Sequence, residues 1–175
     1  LSGANTFSGG TTVSAGTLQG NTTSLQGSIV NNAAVVFDQA SSGTYTGVLS
    51  GSGSLTKQNT GTLTLSGANT FSGGTTVSAG TLQGTTTSLQ GNIANNAAVV
   101  FDQASNGTYA GVMSGSGTLT KQNTGTLTLS GANTYSGATT IAAGTLGVGA
   151  NNAFSASSNV TLSPASALAL GGFST

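Results

Sequence analysis

A parallel β-solenoid is the fold class this sequence predicts, from three observations: a long tandem repeat, strand-like alternation bounded by glycine-rich turns, and a near absence of charge. Residues 1–20, LSGANTFSGGTTVSAGTLQG, return unchanged at 65–84 and again as LSGANTYSGATTIAAGTLGV at 129–148, a period of 64 residues. Self-similarity at a fixed period marks a repeat architecture and takes precedence over length as a guide to domains. The 175 residues therefore form a single solenoid segment: copies 1–64 and 65–128, a partial copy 129–148, and divergent coils over 149–175.

A 64-residue unit is too long for one coil and accommodates three coils of about 21 residues, each with three short strands joined by tight turns. The blocks run from Leu1 to Gly20, Asn21 to Ala40 and Ser41 to Thr64. At about 4.8 Å per coil, roughly eight coils make a rod on the order of 40 Å long.

Each strand can be justified in turn. In the second block Val35 and Phe37 point inward while Val36 and Asp38 take the opposite face, because side chains alternate along a strand. The third block offers Leu55 between Ser54 and Thr56, then Thr62-Leu63-Thr64-Leu65, with both leucines inward and both threonines outward. Threonine suits the outer pleat, being β-branched. Ser66-Gly67-Ala68-Asn69, Ser72-Gly73-Gly74 and Gly51-Ser52-Gly53 punctuate these segments as turns. In the tail, Asn159-Val160-Thr161-Leu162 and Leu168-Ala169-Leu170 alternate, and Pro164 fits the turn between them. No window keeps the helical spacing of apolar residues, and Gly, Thr, Ser and Asn are poor helix formers, so no helix is expected.

Composition narrows function. Only 2% of residues are charged, against about 25% in an ordinary soluble domain, yet 35% are apolar, which sets the chain apart from disordered sequences as well. Asp38 and Asp102 balance Lys57 and Lys121, leaving no basic footprint for nucleic acid or an anionic membrane. The longest apolar run, Ala33 to Phe37, falls far short of the about 20 residues needed to span a bilayer. The chain begins at Leu1 without a targeting segment and reads as part of a longer protein.

The sequence has no His, no Cys and only two carboxylates, so histidine bases, thiol nucleophiles and disulfides are missing, and no catalytic, cofactor or metal residue is assigned. Three coils apart, Asp38 and Asp102 would be separated by about 14 Å along the axis, beyond the roughly 5–9.5 Å of paired-carboxylate glycosidases. Lys57 and Lys121, in identical LTKQNTGT contexts, are expected as solvated residues at coil corners, with Asp38 close enough on the outer face to pair with Lys57. Gly9-Gly10 and Gly73-Gly74 lack the acidic residue of calcium-binding rolls and read as turns. Asn5, Asn69 and Asn133 are expected to satisfy backbone groups, as turn residues or as a buried ladder.

The candidate surface contacts are Thr62, Thr64, Thr126 and Thr128, whose Thr-x-Thr pairs resemble the arrays of ice-binding solenoids, and Tyr135. Phe7, Phe71 and Tyr135 share one repeat position, either as core or as an exposed aromatic row suited to a glycan or a partner.

The strings LTKQNTGTLTLSGANTFSGGTTVSAGTLQG at 55–84 and LTKQNTGTLTLSGANTYSGATTIAAGTLGV at 119–148 resemble the autotransporter-associated β-strand repeat of type V secreted bacterial proteins. The resemblance covers two complete copies and one, at 1–20, lacking its start; the tail ALALGGFST resembles the coil that commonly follows, with Ala169 where the family often has Asp. It implies a right-handed parallel β-helix passenger, carried across the outer membrane by a C-terminal β-barrel and displayed on or released from a Gram-negative cell. It also implies a part in secretion and folding of the passenger, with no functional residue carried over.

The expected function is thus structural: a stalk that extends, folds and displays a cell-surface or secreted protein, with fibre formation as an extension of the same stacking. The alternative is an adhesive module that contacts glycans, cells or sister molecules through a solenoid face. The expected partners are flanking coils or other copies of the protein, and a host or sister-cell surface, with neither nucleic acid nor membrane insertion involved. Low charge and missing catalytic groups argue against an enzyme.

Overall fold

The computed structural model describes residues 1–173, and these contain twenty short strands and no helix. Every strand pairing is parallel, and the strands stack as a β-solenoid of about eight turns. One face is a seven-stranded sheet of β5 (Gly43–Tyr45), β8 (Thr62–Leu65), β10 (Thr81–Gly84), β12 (Ala98–Asp102), β15 (Thr118–Gln122), β17 (Thr139–Ile141) and β19 (Val160–Leu162). A second holds β2 (Thr17–Gly20), β4 (Ala34–Asp38), β7 (Ser54–Gln58), β9 (Thr75–Val77), β11 (Ile93–Asn95) and β14 (Met113–Ser114). The third begins with β1 (Thr11–Val13), β3 (Ile29–Asn31) and β6 (Leu49–Ser50), and ends with β13 (Gly107–Tyr109), β16 (Thr126–Leu129), β18 (Gly144–Val148) and β20 (Ser166–Ala169). Between those groups residues 69–72 carry the ladder on, with Thr70 N donating to Leu49 O and Ser72 N to Gly51 O.

Alternation places the core as expected. Val35, Phe37, Leu55, Leu63 and Leu65 are all at most 2% exposed. Parallel register stacks like positions: Leu63 lies over Gly43 and under Leu82, followed by Val99 and Leu119 in the same inward row. Each stacked pair seals the apolar face of its neighbour, which a single coil could not do alone. Phe37 meets Tyr45 edge-on at a ring separation of 5.0 Å, and Phe101 meets Tyr109 at 5.1 Å, adding aromatic contacts across the coil interior. Turn chemistry agrees as well: Gly51 and Gly115 have φ of 96° and 98°, a region where a side chain is strained. Pro164 does sit in the turn between β19 and β20.

The coil length is close to, and slightly under, the about 21 residues expected. From Gly43 to Val160 the register takes six steps, so 117 residues (160 − 43) cover six coils of between 19 and 20 residues each, individual steps being 17 to 21. A 64-residue repeat therefore exceeds three coils. The extra segment is the 22–25 turn, which contributes no strand but fills a face position one coil before β5, with Thr22 against Gly43. Counting β1 to β8, that turn and residues 69–72, one repeat occupies ten face positions instead of nine. Each copy is consequently advanced by one face: β1, β9 and β17 are repeat equivalents, and they lie on three different faces.

Candidate functional site

The polar groups inside the rod form the best-built cluster in the molecule. Lys57 is fully buried, in the inward row between Phe37 and Val77; Lys121 repeats the arrangement between Phe101 and Ile141. This corrects the expectation of solvated corner lysines. The period-2 alternation of β7 sends Lys57 to the same side as Leu55, and the backbone just beyond supplies acceptors. Asn59 takes a left-handed conformation (φ 69°), which turns nearby carbonyls toward the ammonium. Lys57 Nζ donates to Gln58 O at 3.0 Å, Asn59 O at 2.6 Å and, one coil on, Ala79 O at 3.0 Å. Lys121 Nζ does the same with Gln122 O, Asn123 O and Ala143 O. Burial lowers both lysine pKa values from the ordinary range, opposed by the charge of Asp38 or Asp102.

The aspartates belong to an outer ladder. Asp38 accepts from Gln19 Nε2 and from Asn59 Nδ2, both at 3.1 Å, and Asp102 is held likewise by Gln83 and Asn123. The expected outer-face approach of Asp38 and Lys57 is therefore replaced by an arrangement with the carboxylate outside and the ammonium inside. The two aspartates lie on different faces, β4 and β12 belonging to different sheets, so they do not converge on one substrate. The ammonium groups bond backbone carbonyls, not a Ser or Thr hydroxyl, so nothing here prepares a nucleophile. A cleft of about 420 Å³ beside Asp38 brings it no second carboxylate, histidine or lysine.

Asparagine provides a second internal device. Asn69 accepts from Leu49 N and donates to Ser88 O, both at 2.8 Å, so one amide joins three successive coils. Asn133 joins Met113 N and Ala153 O in the same way. Both are at most 5% exposed, so these two satisfy backbone groups as expected but from buried positions, and, packed on β6 and β14 of different faces, they do not stack into a ladder.

Tyr135 was a candidate surface contact, but it is fully buried, and its hydroxyl lies 2.7 Å from Thr139 Oγ1. Phe71 is 3% exposed, so this repeat position is core; Phe7, in the first coil, is 39% exposed. The threonine candidates are outward and partly exposed, but the structure does not bring them together. Thr62 and Thr64 lie on β8 of the seven-stranded face and Thr126 and Thr128 on β16 of another. Neighbouring coils instead extend each pair. Thr64 belongs to the outward row Thr44, Thr64, Gln83, Val100, Thr120, Thr140, Thr161, in which five of seven residues are threonine. The Thr-x-Thr motif alone did not reveal this row, because Thr140 and Thr161 lie outside it and Gln83 and Val100 interrupt it.

Comparison with known proteins converges with this geometry. The model of the passenger-associated-transport-repeat family matches residues 1–19, 55–83 and 119–148. An adhesin autotransporter, BmaC, of Brucella suis biovar 1 (strain 1330) is 47% identical over 79 residues, which cover 45% of this chain and 2% of that protein. No solved structure matches. The family matches fall on the three copies of the unit that recurs in the coil stack, so it is this repeated unit that is similar to the passenger-associated-transport-repeat.

Proposed function

We propose that this segment serves as a non-catalytic stalk of a passenger protein displayed on, or released from, the surface of a Gram-negative bacterium. The observation that supports it is the continuity of the coil stack. Inward rows, Asn bridges and lysine cradles all satisfy the chain's polar groups internally or between adjacent coils, and the described residues contain no buried side-chain polar atom left unbonded. The mechanism is mechanical and kinetic: each coil is a template for the next, as in other quasi-one-dimensional repeats. Flanking coils of the same protein are its partners, because the end coils expose Leu1 and Phe7 at one end and Leu162, Leu170 and Phe173 at the other.

Deletion of residues 65–128 from the parent protein tests this, since it joins Thr64 to Leu129 and recreates the native Thr-Leu junction. The expected outcome is a passenger still displayed and still adhesive, but shorter. Loss of adhesion at unchanged display would overturn the stalk reading.

The outward threonine row supports a second reading, in which the seven-stranded face itself contacts a glycan or cell surface. Lysine substitution at Thr64 and Thr120 discriminates: a face that binds loses attachment, whereas a stalk does not.

A further inference from the structure

We infer that the 64-residue unit acts as a one-third-turn screw, each added copy lengthening the rod by about 16 Å and turning whatever follows to the next of three faces. The sheet memberships carry this. Gln19 and Asp38 lie on the six-stranded face, while their repeat equivalents Gln83 and Asp102 lie on the seven-stranded face. The advance depends on the 22–25 turn and its equivalent at 86–89, each of which occupies a face without forming a strand. Ser24 and Leu25, like Ser88 and Leu89, are at most 2% exposed, so both turns are packed parts of the coil wall, not excursions from it.

The screw has two functional consequences. A surface feature of the unit returns to the same side only in every third copy, so an array presents it around the whole circumference. Any bend favoured by one copy is likewise directed to successive sides and cancels, which keeps a long array straight. The number of copies thus sets both the reach of a passenger and the direction in which its next domain faces.

The absence of cysteine allows unambiguous paired spin labels. Thr44 and Thr120 share one outward row and are four register steps apart, so labels at Thr44→Cys and Thr120→Cys should peak near the stacking distance of about 19 Å. Thr56 is the repeat equivalent of Thr120 but lies on the six-stranded face, so labels at Thr56→Cys and Thr120→Cys should be farther apart than the first pair. Without the screw, Thr56 and Thr120 would share a face three coils apart at about 14 Å, and the order would reverse. That reversal, or a broad distribution without a peak for either pair, would overturn the inference.

Discussion

Lys57 stands one coil beyond Phe37 in the same inward row, so that an ammonium group and an aromatic ring occupy consecutive rungs of the core. A buried cation is costly unless fully bonded, and three carbonyls from two adjacent coils provide that bonding here. The lysine thereby staples β7 to the turn after β9. Lys57→Met keeps most of the volume but removes the ammonium from Asn59 O and Ala79 O, while Gln58 O keeps the bond from Gln39 N. It should lower stability by about 2–4 kcal/mol, read as a lower urea midpoint. An unchanged midpoint would show that the carbonyls do not need the ammonium.

Alkaline titration reads the same burial. Because the folded lysines have depressed pKa values, the unfolded chain binds more protons between those values and about 10.5, and stability should rise with pH over that window. Tyrosine acts in the opposite sense. Burial pushes Tyr45 up to about 12 and raises Tyr109 and Tyr135 as well, so above about 10 the unfolded chain loses phenolic protons first and stability should fall. Denaturation midpoints should therefore peak near pH 10; a monotonic decline from pH 8 would contradict the lysine burial.

Asn69 bridges Leu49 and Ser88, and Asn69→Ala should leave a buried N–H and a buried carbonyl unpaired. The expected loss is about 2–4 kcal/mol. Asn69→Asp retains the acceptor but loses the donor and brings a carboxylate into the interior, so raising the pH from 4 to 7 should destabilise that variant relative to the native chain. Thermal melts at the two pH values check both.

How far the sequence disclosed this structure depends on which signal each residue carried. Leu63, Leu65, Val35 and Phe37 announced their faces through alternation, and the 64-residue period announced a solenoid. Lys57 obeyed the same alternation, but the general rule that lysine is exposed pointed the other way, and the acceptors that overrule it belong partly to a different coil. The one-face advance of each repeat was hidden for a related reason. The 22–25 turn has no strand pattern, so nothing local marks it as a wall segment; only its stacking against Gly43 does. Outward rows were legible only pairwise, since steps of 17 to 21 residues follow no fixed spacing that the sequence displays.

Tyr135 is a core residue with a polar tip. Tyr135→Phe should cost only about 0.5–1.5 kcal/mol, the worth of one hydrogen bond, because phenylalanine already serves at the equivalent buried position Phe71. Tyr135→Ala should cost about 3–5 kcal/mol through the cavity it leaves. Surface attachment by the parent protein should be unchanged in Tyr135→Phe, and reduced attachment at equal display would mean that the ring reaches solvent.

The ends of the rod decide whether the isolated segment remains single. Leu162 is 47% exposed and Leu170 43%, at the edge formed by β19 and β20, while Leu1 and Phe7 are 61% and 39% exposed at the opposite end. Each end also presents unpaired backbone groups, a template for further strands. Purified segment should therefore associate end to end with increasing concentration, visible as a rising sedimentation coefficient. Placing charge on one edge, through Leu162→Lys with Leu170→Lys, should suppress this while leaving the β-sheet circular dichroism intact, since both side chains lie outside the closed core. If the native segment stays monomeric at millimolar concentration, its ends are protected, and flanking coils are not required to cover them.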